Sequence, residues 1–267
     1  MNLVEICQEN PPDILLICGD LAETLTGWQR ALELFQNVEI TKIIVPGNHD
    51  LWCRSEQEPD SYAKYRHYLG KVCRDNDWHY LPKNPWLKNN IGIVGSCCWY
   101  DYSLLPLKHP FDLKELNMKA KGGLRWMDAV ACRWSSFARE PSDCEITDLF
   151  FKDLEEDLQK ISKDCDFIIL ATHFPFYREF LDYDSVPWDR AYFGAFMGSE
   201  RYKSLLSDYS IKMHICGHLH RQKFLELNGT KVFLSPVGTV KEWSTEDPEA
   251  RLEQVLLKLH AENPTQG

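Results

Sequence analysis

Five short apolar runs divide the chain, and segments with helical or irregular patterns lie between them. The runs cover residues 14–18, 42–45, 91–94, 167–171 and 211–216. They are too short for helices and are apolar at consecutive positions, which is typical of strands buried on both faces. The hydrophobic pattern therefore predicts a central sheet with parallel pairing.

Helical patterns occupy several of the intervals between these runs. Residues 24–35 and 61–74 are amphipathic, and Thr147 is expected to cap a helix that continues to about residue 161. Asp-Pro-Glu at 247–249 predicts the start of a last helix through residue 257, with a strand as the alternative. Alternating strands and helices indicate an α/β fold.

Two segments depart from this alternation. Asn228-Gly229 lies between apolar segments 222–227 and 231–235, which predicts a tight β-hairpin. Residues 99–146 are rich in Trp, Tyr, Pro and charged residues, and we interpret them as an insertion within a single domain over residues 1–267. Such insertions are lids or binding loops in many proteins and only mobile surface in others.

Charge and composition narrow the function classes. A net charge of −10 argues against bulk nucleic acid or anionic lipid as a partner, because both require a basic surface. No apolar run has the length of a membrane-spanning helix, and the first residues lack a signal-peptide pattern. The ten cysteines show no CxxC spacing, which favours reduced thiols in a cytoplasmic protein.

Polar residues follow four of the apolar runs, at the point where each predicted strand ends. These residues are Gly-Asp at 19–20, Gly-Asn-His-Asp at 47–50, His173, and Gly-His-Leu-His at 217–220. Sites in parallel α/β sheets form at the carboxyl ends of strands. If the four strands lie side by side, their trailing residues converge on one site.

The residue types indicate what such a site would hold. Carboxylate, amide oxygen and imidazole donors without sulfur suit ions of the Mn, Fe or Zn class rather than a structural zinc site. Each motif alone has an ordinary explanation, since Gly-Asp is a common turn and His173 alone would be a core histidine. All four at strand ends, in order, favour a metal site.

These four motifs in this order resemble the calcineurin-like metallophosphoesterase superfamily, over about residues 11–240. The resemblance implies a four-layer αββα sandwich of two mixed β-sheets flanked by helices, and a centre of two divalent metal ions. It implies that Asp20 bridges both ions and that His220 binds one of them. The other ion would be completed by Asn48, His173 and His218.

The resemblance also implies the reaction. A metal-dependent phosphoesterase hydrolyses a phosphomonoester or phosphodiester by in-line attack of a metal-bound hydroxide. His49 would act as the general acid that protonates the leaving oxygen. Asp50 would orient His49 or stabilise its charged form, and capping of a helix N-terminus is the alternative role for Asp50.

One departure from the family pattern is visible. Members normally open with Asp-x-His at the end of a first strand, and both residues bind the ion that His220 serves. Here the first histidine is His49, and the first residues resemble the helix that follows that motif. We therefore expect a fold that lacks the usual first strand, one incomplete metal site, and a natural product that begins upstream of Met1. The alternative is a weakly active or inactive homologue that serves as a protein-interaction module.

Substrate contacts are expected from the insertion and from the loop after His173, where Trp126 and Asp128 are among the candidate pocket residues. Arg125, Arg133 and Arg178 could bind phosphate, and Tyr100 could stack on a ring. Ordinary packing is the competing explanation for each. The acidic chain favours a small phosphoester or a phosphoprotein as substrate. No feature of the sequence predicts an oligomeric state.

Overall fold

The computed structural model describes residues 2–183, 187 and 191–259 as an α/β protein. Its helices are α1 Leu3–Glu9, α2 Leu25–Glu33, α3 Ser61–Ala63, α4 Leu69–Asp75, α5 Leu113–Met118, α6 Asp128–Ala131, α7 Asp143–Ile161, α8 Lys203–Asp208 and α9 Pro248–Val255. Its strands are β1 Ile14–Cys18, β2 Thr41–Val45, β3 His79–Tyr80, β4 Trp86–Lys88, β5 Ile91–Ser96, β6 Ala120–Lys121, β7 Leu124–Arg125, β8 Phe167–Thr172, β9 Ile211–Cys216, β10 Lys223–Leu227 and β11 Thr230–Leu234.

The larger sheet has six strands in the order β10-β11-β9-β8-β5-β4. Its four inner strands pair in parallel, whereas β4 and β10 at the edges pair antiparallel. The predicted hairpin joins β10 to β11. Asn228 and Gly229 both have positive φ angles there, of 52° and 82°, as a tight two-residue turn requires.

The smaller sheet has the order β1-β2-β3, and its described strands all pair in parallel. Each of its first two strands is followed by helical segments that return the chain to the same end of the sheet, which parallel pairing requires. The resemblance implied two mixed sheets, so the purely parallel pairing in this one is a difference in detail. On the described residues, no strand pairs with the second edge of β1.

The two sheets pack face to face through alternate residues of their strands. Ile43 and Val45 of β2 form one buried cluster with Ile93 of β5 and Ala171 of β8. The opposite faces of the same strands belong to a second cluster that includes residues of the flanking helices, such as Trp28 of α2 and the inward face of α7. This arrangement of helix, sheet, sheet and helix confirms the predicted fold class.

The start of α7 differs from the prediction. Thr147 does not cap this helix, because a capping box between Ser142 and Glu145 starts it five residues earlier. Thr147 lies inside α7, and its hydroxyl donates a hydrogen bond to the carbonyl of Tyr100 at 2.8 Å. The last helix begins at the predicted place, where Asp247 caps α9.

The interval 99–146 contains two short helices, α5 and α6, and the small hairpin of β6 and β7. It lies in the chain between β5 and α7. The single-domain boundaries stay a prediction. The ten cysteines form no disulfide. Across the described part of the chain, no helix is both long and apolar enough to span a membrane.

Candidate metal centre

The ends of four strands meet at one edge of the two sheets. Asp20 follows β1, Asn48 follows β2, His173 follows β8, and His218 follows β9. One ligand atom each from Asp20, His173 and His218 lies within 4.8 Å of the others, and this is the one group of three such residues in the described ranges. The predicted convergence of these three residues is therefore present in the structure.

Glycines allow the loops after β1 and β2 to approach each other this closely. Gly19 has a φ of +86°, and a Cβ there would lie 2.5 Å from the Gly47 nitrogen and 2.7 Å from His173 Nδ1. A Cβ on Gly47 would lie 2.2 Å from Asp20 Oδ1. Both positions exclude any side chain, because real Cβ contacts are longer.

His173 is held in one orientation by the backbone. Its Nδ1 lies 2.8 Å from the Cys18 carbonyl oxygen, which can only accept, so Nδ1 carries the proton. Its Nε2 faces Asn48 Oδ1 at 3.1 Å, Asp20 Oδ2 at 3.3 Å and His218 Nδ1 at 3.3 Å. Metal-binding histidines commonly have their second ring nitrogen fixed in this way.

The electrostatics of this cluster suit a cation. Burial alone would raise the pKa of Asp20, but His173, His49 and His218 lower it below its ordinary value. Burial, reinforced by His173, lowers the pKa of His218 well below its usual range. Burial opposes protonation of His173, yet Asp20 and the Cys18 carbonyl raise its pKa. A carboxylate, an amide oxygen and two imidazoles thus lie close together, and this donor set fits a divalent ion of the Mn, Fe or Zn class.

Asn48 is oriented by a residue from the insertion. Its Nδ2 donates to Asp128 Oδ1 at 2.8 Å, which leaves Oδ1 facing His173. Asp128 also accepts hydrogen bonds from the indoles of Trp52 and Trp126, at 2.6 and 2.9 Å. Asn48 and Asp128 are both buried, so this network is shielded from solvent.

Asp50 holds the two loops together through their backbones. Its carboxylate accepts hydrogen bonds from the amides of Asp20, Ala22 and Gly47, at 2.8, 2.8 and 2.7 Å. Burial and the Asp20 carboxylate raise the pKa of Asp50 to about 7, while the amides of Ala22 and Gly47 oppose that rise. These bonds position Asp20, whereas a role toward His49 stays a prediction.

His49 lies at the rim of the cluster, with 42% of its side chain exposed. Its ring stacks on Trp52 with a centroid separation of 3.7 Å, and Nδ1 lies 3.7 Å from Glu23 Oε1. Fully buried Lys64 donates to the backbone carbonyls of Glu23 and Trp52 and pairs with Glu58 at 3.3 Å. Lys64 therefore fixes the two loops between which His49 is held.

His220 lies apart from the group formed by Asp20, His173 and His218. Its Nδ1 is 2.7 Å from Glu242 Oε2, and its side chain is 37% exposed. Glu242 belongs to the turn Val240–Glu242, and its carboxylate also accepts from the amide and hydroxyl of Thr239. Glu242 leaves the Nε2 edge of His220 available to a second ion, which stays a prediction.

The four predicted substrate residues have different surroundings. Arg125 is exposed on β7, and Tyr100 is buried among aromatic rings, with Lys119 donating to its hydroxyl at 3.3 Å. Arg178 donates to the carbonyls of the 103–105 segment and pairs with Glu200, and Arg133 donates to the Glu58 carbonyl. Contact of these four with a substrate stays a prediction.

The sequence did not indicate the roles of several supporting residues. Asp128 and Trp126 were expected as candidate pocket residues, but their contacts with Asn48 and His218 were not. Trp126 packs edge-on against His218 at a centroid separation of 5.9 Å. Nothing in the sequence indicated that Glu23 and Glu242 would face His49 and His220, because no local sequence pattern predicts the partner of an exposed glutamate.

Comparison with known proteins identifies the family of this chain. The sequence model of the family described as calcineurin-like phosphoesterase matches residues 1–222. The Mycobacterium tuberculosis protein named [acyl-carrier-protein] phosphodiesterase PptH is 25% identical over 259 residues, covering 92% of this chain and 75% of that protein.

Two solved structures share the fold. The crystal structure of phosphopantetheinyl hydrolase (PptH) from Mycobacterium tuberculosis has a TM-score of 0.67 at 22% identity, and covers 87% of this chain and 82% of that one. A Thermus thermophilus protein has a TM-score of 0.51 at 12% identity, with 87% and 80% covered. The chain belongs to the calcineurin-like phosphoesterase family.

Proposed function

We propose that this protein is a divalent-metal-dependent phosphodiesterase and that its substrate is a phosphopantetheinyl group carried by a protein. One observation supports the reaction class. Ligand atoms of Asp20, His173 and His218 lie within 4.8 Å of one another, and Asn48 Oδ1 lies 3.1 Å from His173 Nε2. The substrate class follows the relative named as an acyl-carrier-protein phosphodiesterase.

Asp20, Asn48, His173 and His218 would hold one ion, and Asp20 with His220 would contribute to a second. Bound ions of this kind activate water and neutralise charge on the phosphoryl oxygens. The cluster lies at the strand ends, and its His49 rim is open to solvent. A phosphate can therefore reach the site from that side.

His49 would supply the proton that the leaving group needs. As the water oxygen forms its bond to phosphorus, the bond between phosphorus and the leaving oxygen breaks. The leaving oxygen takes the His49 proton, and the proton lost by water passes to solvent. Glu23 lies 3.7 Å from the His49 Nδ1 atom, and the stack on Trp52 holds the plane of the ring. The Nε2 edge is then left to face the leaving oxygen.

The ten unpaired cysteines support a cytoplasmic location, where thiols stay reduced. A cytoplasmic place also fits a carrier protein as the substrate.

The test uses the purified chain with Mn²⁺ and a phosphopantetheinylated carrier protein, followed by mass spectrometry of the carrier protein. We expect the carrier protein to lose the mass of its phosphopantetheinyl group, and His49→Ala to abolish most of this loss. Bis-(p-nitrophenyl) phosphate serves as a generic diester.

Each outcome separates the parts of the proposal. If the protein hydrolysed the generic diester but not the phosphopantetheinylated carrier protein, the result would contradict only the proposed substrate class. Tight metal binding with turnover of neither diester would contradict the enzyme assignment and favour a protein-interaction module.

A further inference from the structure

Asp128 is the one acidic residue of the insertion that the structure brings against a predicted metal ligand. It is 2% exposed and accepts three hydrogen bonds, from Asn48 Nδ2, Trp52 Nε1 and Trp126 Nε1. The bonds from Asn48 and Trp52 end on Oδ1, and the bond from Trp126 ends on Oδ2. Every contact of this carboxylate is therefore with a donor.

This arrangement determines which way the Asn48 amide points. An ionised carboxylate can only accept hydrogen bonds, and an indole can only donate them. The Asn48 group that faces Asp128 must consequently be the NH₂ group. The carbonyl oxygen of Asn48 is then directed at His173, where a metal ligand is needed.

The same carboxylate connects the metal centre to the insertion. Trp126 bonds to Asp128 and packs against His218 and Phe196, the latter stacked at 5.5 Å. Asp128 therefore joins a ligand from β2 to the aromatic rings that lie over the ligand from β9.

We propose that Asp128 is a positioning residue that locks the Asn48 amide with its oxygen toward the metal and couples metal binding to the order of residues 126–131. This inference rests on the proposed metal site. It assigns to the insertion a function in assembling the centre, in addition to any contact with substrate.

Asp128→Ala tests the lock by removing both acceptor oxygens. The Asn48 NH₂ group then has no acceptor on this side, so nothing holds its oxygen toward the metal. We expect Mn²⁺ affinity, measured by calorimetry, to fall by about 10- to 100-fold, the usual range when an outer partner of a metal ligand is lost.

Asp143→Ala is the matched control. Asp143 is also a buried aspartate of the insertion region, and it accepts hydrogen bonds from Trp99, Tyr102 and Lys119 at 3.0, 2.6 and 2.7 Å. None of these donors is a metal ligand. We expect a loss of thermal stability in this variant with Mn²⁺ affinity within about twofold of wild type.

Exchanging the two groups provides a rescue. In the double variant Asn48→Asp with Asp128→Asn, the carboxylate at 48 accepts from the amide at 128 and still presents an oxygen to the metal. We expect Mn²⁺ affinity to return to within about threefold of wild type. A structural defect at position 128 would not be repaired by a change at position 48.

Hydrogen exchange on the wild-type protein tests the coupling without any variant. Addition of Mn²⁺ should slow amide exchange in residues 126–131 and leave α5 (Leu113–Met118), in the same insertion, unchanged.

Unaltered Mn²⁺ affinity in Asp128→Ala, or an equal loss in Asp143→Ala, would overturn the positioning role. Unchanged exchange in residues 126–131 would overturn the coupling. A wild-type protein that binds no Mn²⁺ would overturn the metal site itself, and the positioning role with it.

Discussion

The two sides of the site are built differently. On one side, Asp20, Asn48, His173 and His218 follow strands directly, and each is held by neighbouring backbone or side chains. On the other, His49 and His220 have 42% and 37% of their side chains exposed, and each faces a glutamate. Metal ligands require fixed positions, whereas a proton donor must reach both substrate and solvent. The buried side is therefore suited to bind an ion, and the exposed side is suited to transfer a proton to the substrate.

The largest expected effect separates the two histidines that follow β9. His218→Ala removes a predicted ligand that is half-buried and whose ring contacts Phe174 and Trp126, so metal affinity at the buried side should fall by more than about 100-fold. His220→Ala should leave that ion in place. Metal analysis after dialysis measures both. Equal loss of metal in the two variants would contradict the division of the site.

His49→Ala should reduce turnover without removing metal. Loss of a general acid typically costs about 10²- to 10⁴-fold in rate. The loss should be large for the phosphopantetheinylated carrier protein, whose departing serine alkoxide needs a proton, and much smaller for p-nitrophenolate, which leaves readily without one. The comparison of kcat for the two substrates checks this. A similar loss for both leaving groups would exclude proton donation as the role of His49.

Glu242→Gln should produce a smaller effect, confined to the exposed side. The substitution removes the negative charge that faces His220 Nδ1, and we expect about a tenfold weaker second equivalent of Mn²⁺. The first equivalent should bind as in wild type. A titration that resolves the two equivalents measures this. Weakening of the first equivalent alone would show that Glu242 acts on the buried side.

Ser142→Ala should have the smallest effect and serves as a remote control. It removes the side-chain cap of α7, which we expect to lower the free energy of unfolding by about 1 kcal/mol. Metal affinity and kcat should not change, because Ser142 contacts no residue of the site. Denaturant unfolding and a diesterase assay check the two halves of this expectation. A parallel loss of kcat would mean that general stability, rather than local geometry, limits the site.

The buried side could be predicted from the sequence because each ligand immediately follows an apolar run. Gly19-Asp20 and His173 are local signals, and parallel strands bring such signals to one edge. The short strands β3 and β4 gave no periodicity to recognise. The start of α7 was misplaced because the capping box at Ser142 precedes the apolar pattern.

The exposed side and the supporting contacts were harder to predict, since they depend on segments far apart in the chain. Asp128 meets Asn48 across 80 residues, and His220 meets Glu242 across 22. Asp50 shows that a sequence motif does not reveal which atoms a side chain contacts. Its position in the motif indicated a partner for His49, whereas its hydrogen bonds fasten the backbones of two loops.

The most direct test of the metal site is a crystal structure of the protein soaked with Mn²⁺, with data collected at the manganese absorption edge. We expect an anomalous peak bounded by Asp20, Asn48 Oδ1, His173 Nε2 and His218 Nδ1, with Asn48 Nδ2 still donating to Asp128. The absence of a peak among these four residues at saturating Mn²⁺ would contradict the proposed metal site.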